Sequence, residues 1–224
     1  MALNIALLAS GNGTNVQAII NNILAGVLDA NICLIAANRP QAFVLERARR
    51  AGLPFCALDH TVWPDRAAFD NELAAVVKDH GAELVALAGY MRLLTPAFLT
   101  HFPNKIVNLH PSLLPSFPGT RAGADAVTHG VKISGCTVHF VEEHMDSGPI
   151  IIQAAVPVNP DEQPDALMRR IHGLEHRIYP QALQWLSEDR IRLSNRQTIL
   201  SKGTRPQLPQ PAGCLVCPPL EQGF

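Results

Sequence analysis

Apolar, strand-like runs alternate with helix-like segments along the first half of this chain. The predicted strands cover 3–9, 32–37, 55–58, 84–88 and 105–110, and the predicted helices between them cover 14–25, 42–51 and 65–80. Gly52 and Gly81 follow two of these helices, at the position where glycine commonly ends a helix. A repeated strand-then-helix pattern is typical of a mostly parallel sheet with helices on both faces. We therefore predict an α/β fold.

The pattern changes in the second half of the chain. Strands are predicted at 135–141 and 150–156, followed by a long helix at 164–186 and a small hairpin at 191–193 and 198–200. The loop between the first two strands is short enough for a hairpin, so the later strands are expected to be mixed in direction. From Gly203 the chain is rich in Pro, Gly and Gln. We predict one domain over 1–200 and a loosely ordered tail over 201–224.

The composition limits the classes of function. The chain has 224 residues, of which 47% are hydrophobic, and a formal net charge of −1. This balance allows a sizeable core but gives no electrostatic support for a nucleic-acid partner. No apolar run is long enough to cross a membrane, and the first residues resemble a strand rather than a signal peptide. The odd count of five cysteines fits a reducing compartment. We expect a cytoplasmic monomer or homodimer that acts on small molecules.

The strand at 105–110 ends in Asn108-Leu109-His110-Pro111. Asn108 and His110 point the same way because side chains alternate along a strand, and Pro111 keeps the residue before it extended. Ligands of open α/β sheets bind at the carboxyl ends of strands. A carbonyl that becomes an oxyanion there needs one fixed donor and one group that moves a proton. The plainer interpretation, in which Asn108 caps a turn and His110 is a core residue, stays equally open.

A glycine-rich loop, Ser10-Gly11-Asn12-Gly13-Thr14-Asn15, joins the first strand to the first helix. Glycines let backbone amides approach a phosphate, and a helix N-terminus adds partial positive charge. A dinucleotide is disfavoured, because Val16 replaces the third glycine and the second strand leads into 38–40 without a ribose-binding acid. Arg39 leaves NADP open. We favour a monophosphate site over a tight turn capped by Thr14.

Two further segments follow predicted strands. The loop at 89–94 mixes apolar and polar residues, which suits a flat heteroaromatic ligand. The loop at 145–149 contains Asp146, whose carboxylate would favour a charged imidazole if it lay beside His110. Asp and Gly-Pro are also turn formers, so both segments can equally be ordinary loops.

Two patterns resemble metal sites. His172, Glu175 and His176 match H-x-x-E-H, and Cys214 and Cys217 form a C-x-x-C. The first pattern marks no third ligand, and the second lies in the tail without a partner pair. We therefore expect no metal.

Five motifs then occur in order along the chain. They are Ser-Gly-Asn-Gly-Thr-Asn at 10–15, Ala-Gly-Tyr-Met-Arg at 88–92, Asn-Leu-His-Pro-Ser-Leu-Leu-Pro at 108–115, Met-Asp-Ser-Gly-Pro at 145–149 and Glu-His-Arg-Ile-Tyr-Pro at 175–180. Together they resemble the phosphoribosylglycinamide formyltransferases of purine biosynthesis, which use 10-formyltetrahydrofolate. The resemblance covers about residues 3–195 and implies a single Rossmann-like formyltransferase domain.

The resemblance also implies roles for the matching positions. The catalytic residues would be Asn108, His110 and Asp146. The phosphoribosylglycinamide site would comprise Gly13, Thr14, Asn15 and Glu175, and the folate site would comprise Arg66, Met91, Arg92, Leu93, Leu94 and Asn108. One departure concerns 121–123, where some members carry a His-x-His pair and this chain has Arg-Ala-Gly. Arg121 is the candidate to replace any substrate contact that those histidines make.

The expected reaction is attack of a primary amine on the formyl carbon at N10 of the folate. Asn108 and protonated His110 would stabilise the oxyanion, and Asp146 would pass the proton of the amine, through water, to N10. A formyltetrahydrofolate hydrolase and a methionyl-tRNA formyltransferase are related alternatives. The hydrolase usually carries an extra N-terminal domain, and the tRNA enzyme usually carries an extra C-terminal domain. We expect neither domain here. A non-catalytic nucleotide-binding module is the alternative from a different class.

Overall fold

The structure, a computed structural model, describes residues 2–224 and divides into two compact units. Unit 1 runs as far as Asn108 and includes Val141–Glu143. Unit 2 comprises Leu109–Phe140 and His144–Phe224. The boundary falls within one strand, so that the two units share it.

Unit 1 contains a parallel sheet. Its elements are β1 (Leu3–Ala9), α1 (Thr14–Leu24), β2 (Ala30–Ala37), α2 (Phe43–Arg50), β3 (Phe55–Ala57), a 3-10 turn (His60–Val62), α3 (Arg66–Asp79), β4 (Leu84–Leu87), α4 (Pro96–Leu99) and the shared strand β5 (Ile106–His110). The strand order is β5-β4-β1-β2-β3, and every neighbouring pair is parallel. Residues along β1 and β4 are buried on both sides, as expected of a sheet covered on both faces.

The strand order of unit 1 fixes where a ligand can bind. The chain moves outward from β1 to β3 and then returns across β1 to form β4. Because such crossovers are right-handed, α1 and α2 cover one face of the sheet and α3 covers the other. The carboxyl ends of β1 and β4 therefore flank the switch in direction, where open α/β sheets bind ligands.

Unit 2 is built on antiparallel strands and one long helix. Its elements are α5 (Ala122–His129), β6 (Ile133–Phe140), β7 (Ile150–Pro157), α6 (Pro164–Ser187), β8 (Ile191–Ser194), β9 (Gln197–Leu200) and β10 (Leu215–Cys217). β6 and β7 form an antiparallel pair, and β10 adds to the other edge of β7. β8 and β9 form a separate two-stranded hairpin.

The predicted fold class is confirmed, with parallel strands first and antiparallel strands later. The predicted elements differ from the observed ones only at their ends. The sequence reading missed the 3-10 turn, α4, α5 and β10, which are all short. Across residues 2–224, no helix is long and apolar enough to span a membrane.

The C-terminal segment differs from the loosely ordered tail that its composition predicts. β10 pairs with β7, and Val216, Leu220 and Phe224 are buried. Composition misses this arrangement because a few apolar residues spaced along a polar segment suffice to cover an open sheet edge.

Candidate active site

His110 is the last residue of β5, and its side chain is buried. Asn108 lies two positions earlier on the same strand and is half-buried. Pro111 then ends the strand. An amide and an imidazole therefore stand two positions apart on the strand that Pro111 ends.

Asp146 lies close to His110 within unit 2. Its Oδ2 is 3.5 Å from His110 Nδ1 and accepts a 2.9 Å hydrogen bond from the backbone N–H of Gly119. The backbone of Asp146 is left-handed, with φ of 51°. A residue other than glycine adopts that conformation only when its surroundings hold it there, and such residues cluster at functional sites.

The other ring nitrogen of His110 identifies the tautomer. His110 Nε2 lies 2.9 Å from the carbonyl oxygen of Phe117. A carbonyl only accepts, so Nε2 must carry the proton. Nδ1, on the other side of the ring, faces the Asp146 carboxylate at 3.5 Å.

A second imidazole faces Asp146 from β6. His139 Nε2 lies 3.8 Å from Asp146 Oδ1, and His139 Nδ1 donates to the carbonyl of Phe140 at 2.8 Å. His139 is 2% exposed. The sequence reading missed this residue, because a lone histidine in an apolar strand has no motif around it. Its one signal is its place at the end of the strand that leads into the Asp146 loop.

The glycine-rich loop of unit 1 ends in a glycine that the backbone requires. Gly13, not Thr14, is the N-cap of α1, so the alternative of a Thr14 cap is wrong. Gly13 has φ of 75°, and a Cβ there would lie 2.5 Å from Val44 Cγ2. No side chain caps this end of α1 with a hydrogen bond.

Arg47 of α2 holds the same loop from one side. Its Nε donates to the carbonyl of Asn12 at 2.8 Å, and its Nη2 donates to Asn12 Oδ1 at 2.6 Å. Its Nη1 donates to Gln17 Oε1 at 3.2 Å. One guanidinium therefore ties the loop and the first helix to α2.

Ser10 joins the glycine-rich loop to the segment after β4. Its backbone N–H donates to Gly89 O at 3.0 Å, and its Oγ accepts from the N–H of Met91 at 2.8 Å. Ser10 Oγ also donates to Asn38 Oδ1 at 2.6 Å. The structure thus brings the predicted phosphate loop next to the start of the segment 89–94, which contains predicted folate-binding residues.

The predicted folate residues of unit 1 do not all face solvent. Met91 is 58% exposed and Leu93 is 49% exposed, so both present apolar surface to solvent. Arg66 Nη2 donates to the Leu93 carbonyl at 2.6 Å. Arg92 instead packs over the ring of Phe69, and Leu94 lies in the core.

The H-x-x-E-H pattern lies on α6. Glu175 is buried and His176 is half-buried. Burial, with a smaller effect of His172, lowers the pKa of His176 below its usual 6.5. Across residues 2–224, no three His, Cys, Asp or Glu side chains are grouped so that they could hold a metal ion. Arg121 is exposed beside Asp125, at the start of α5.

Comparisons with known proteins agree with this geometry. The model of the formyl transferase family matches residues 3–183. The phosphoribosylglycinamide formyltransferase of Escherichia coli (strain K12) is 38% identical over 191 residues, which is 85% of this chain and 90% of that protein. The structure of glycinamide ribonucleotide transformylase 1 from Symbiobacterium toebii superposes with a TM-score of 0.88 at 46% identity and covers 89% of this chain and 94% of its own.

A formyltetrahydrofolate deformylase from Pseudomonas syringae is also similar in structure. Its TM-score is 0.84 at 27% identity, covering 90% of this chain and 67% of that chain. The identity with the two transformylating relatives is higher. The chain belongs to the formyl transferase family, with the phosphoribosylglycinamide formyltransferases as its near relatives.

Proposed function

We propose that this protein transfers a formyl group from 10-formyltetrahydrofolate to the primary amine of 5-phosphoribosylglycinamide. The observation that carries the proposal is the pairing of His110 with Asp146 at the end of β5, in a chain that relatives with this activity match over most of their length. Formyl transfer needs a donor for a developing oxyanion and a route for one proton, and this pair supplies both.

The reaction begins when the amine nitrogen attacks the formyl carbon and forms a C–N bond. The oxygen of that carbon becomes an oxyanion, which the Asn108 amide and the His110 imidazolium stabilise. The bond from carbon to N10 then breaks, and the proton of the amine passes through Asp146 and water to N10. Losing one such oxyanion donor typically costs on the order of a hundredfold in rate.

The contact with Phe117 imposes a condition on this mechanism. His110 Nε2 donates to the Phe117 carbonyl, while Nδ1 faces Asp146. For Nε2 to donate to the oxyanion, Phe117 must release it when the substrates bind. Hydrogen bonds of unliganded catalytic groups often rearrange in this way.

The family resemblance and the local geometry support a proposal for where each substrate binds. Gly13, Thr14 and Asn15 at the start of α1 would hold the phosphate and ribose, with Glu175 contacting the sugar or the glycinamide. The exposed apolar surface of Met91 and Leu93, near Arg66, suits the folate ring. The residues present therefore fit both substrates. We also propose that Arg121 replaces the substrate contact of the histidine pair that some family members carry.

We further infer a cytoplasmic enzyme that works as a monomer or homodimer, without a nucleic-acid or membrane partner. The odd cysteine count supports a reducing compartment, and the near-neutral charge argues against a nucleic-acid partner. Sedimentation of the purified protein tests the oligomeric state, because a larger assembly would contradict it.

The direct test measures formyl transfer with purified protein, 10-formyltetrahydrofolate and phosphoribosylglycinamide. We expect formylated product in proportion to folate consumed, and none when the acceptor is omitted. Release of formate without acceptor would instead favour the hydrolase, which the likeness to the deformylase keeps as the second candidate. Nucleotide binding without turnover would favour a non-catalytic module.

A further inference from the structure

The β8–β9 hairpin contacts the loop that carries Asp146. Arg196, in the turn of the hairpin, donates from Nη2 to the carbonyl of Ser147 at 2.5 Å. Thr198 Oγ1 donates to the carbonyl of Ile150 at 2.6 Å. Two hydrogen bonds from one hairpin therefore fasten the segment that directly follows Asp146.

This segment borders a cavity on one side. The cavity has a volume of about 620 Å³, and its walls include Leu114, Pro118, Asp146, Arg196 and Thr198. Side chains do not fill this space, so the segment gains little van der Waals packing on that side. Hydrogen bonds across the rim of the cavity become correspondingly more important for the position of the loop.

Asp146 needs such support because of its own backbone. Its left-handed conformation is less favourable for a residue with a Cβ than ordinary extended or helical backbone. If the loop relaxed to an ordinary conformation, the carboxylate would turn away from His110 and His139. The bond from Arg196 acts on the residue next to Asp146 and opposes that relaxation.

We propose that Arg196 is a positioning residue, which holds the Asp146 loop in the conformation that points the carboxylate at His110. The inference rests on the role given to Asp146 in the proposed function. Arg196 touches no reacting atom and acts through the Ser147 carbonyl. Thr198 supports the far end of the same segment, four residues beyond Asp146.

The test compares three variants by steady-state kinetics. Arg196→Met removes the donor, Arg196→Lys keeps a charged donor, and Arg192→Met is the matched control. Arg192 is an exposed arginine on β8 of the same hairpin. We expect Arg196→Met to lower kcat about five- to tenfold, as fits the loss of one solvent-exposed hydrogen bond. KM for phosphoribosylglycinamide should not change, Lys should restore most of the loss, and the control should match the wild type.

A spectroscopic readout separates positioning from general destabilisation. The ring ¹H–¹³C signals of His110 and His139 should move in Arg196→Met and stay in place in Arg192→Met. This readout needs no turnover, so it stands even if the wild type shows no formyl transfer and the proposed function itself fails. Wild-type kcat with unmoved histidine signals in Arg196→Met overturns the inference. An equal loss of kcat in the Arg192 control overturns it as well.

Discussion

The imidazole of His110 contacts two other residues of the site. Because the Phe117 carbonyl can only accept, it fixes a proton on His110 Nε2 and turns Nδ1 toward Asp146. Asp146 in turn lies between His110 and His139. One carboxylate thus places its negative charge beside two imidazoles near the end of β5, where the oxyanion of the proposed reaction would form.

Asp146→Asn tests that charge at the residue scale. Asparagine keeps the shape of the side chain and can still accept from the Gly119 N–H, but it removes the negative charge and the proton route. We expect kcat to fall by about a hundredfold or more, in the range typical of a lost acid–base group. Steady-state formyl transfer measures this change, and thermal melting should show a nearly unchanged Tm.

Asp125→Asn is the matched control for Asp146→Asn. Asp125 lies on α5, where its partly exposed carboxylate is 3.8 Å from Arg121. Its loss removes one negative charge from the same unit of the protein without touching His110. Equal kcat values for the two variants would exclude Asp146 from the mechanism.

At the scale of elements, α2 shapes the glycine-rich loop. Val44 packs where a side chain on Gly13 would lie, and the Val44 N–H donates to the Gly11 carbonyl at 3.1 Å. Arg47 lies one turn further along α2. Its guanidinium donates to both the backbone carbonyl and the side-chain oxygen of Asn12. The loop is therefore held by packing and by hydrogen bonds from a neighbouring helix.

Arg47→Met should weaken binding of the phosphorylated substrate. Without the guanidinium, the loop loses two hydrogen bonds at Asn12 and α1 loses one at Gln17, so the loop is held less firmly. We expect KM for phosphoribosylglycinamide to rise about five- to tenfold, because exposed hydrogen bonds contribute about 1 kcal/mol. KM for the formyl donor should stay within about twofold. Steady-state kinetics with each substrate varied in turn measures both.

Arg50→Met provides the control on the same helix. Arg50 carries the same charge and, like Arg47, lies over the Phe43 ring, but it pairs with Glu46 instead of the loop. A similar rise in KM for both variants would show that the positive charge of α2, not the hydrogen bonds from Arg47 to Asn12, governs substrate binding.

These elements also show how far the sequence could predict the structure. Hydrophobic periodicity predicts the strands and long helices, and local motifs identify His110, Asp146 and the glycine-rich loop. Arg47 was missed because its hydrogen bond spans 35 positions, a contact that only the tertiary fold creates. His139 was missed for the same reason, since its meaning depends on Asp146 being across the loop.

At the scale of the whole chain, an ion pair anchors the C-terminal segment. Arg190, just after α6, binds Glu221 through two hydrogen bonds of 3.0 and 2.7 Å. The side chains are 9% and 3% exposed, so this pair is shielded from solvent. The hydrogen bonds with Glu221 raise the pKa of Arg190 above its ordinary value.

Glu221→Gln should therefore destabilise the protein without changing its chemistry. Removing one charge from a buried pair typically costs 3–5 kcal/mol, but Arg190 keeps its contact with Glu188, so we expect a loss of about 2 kcal/mol. For a chain of this length that loss lowers Tm by about 4–8 °C.

Glu188→Gln removes the more exposed partner of the same arginine and should cost less than about 1 kcal/mol. Calorimetry compares the two variants, and kcat well below Tm should equal that of the wild type in both. Equal melting temperatures for the two variants would mean that burial of the Glu221 pair does not anchor the tail, and that the apolar contacts of Val216 and Leu220 hold it instead.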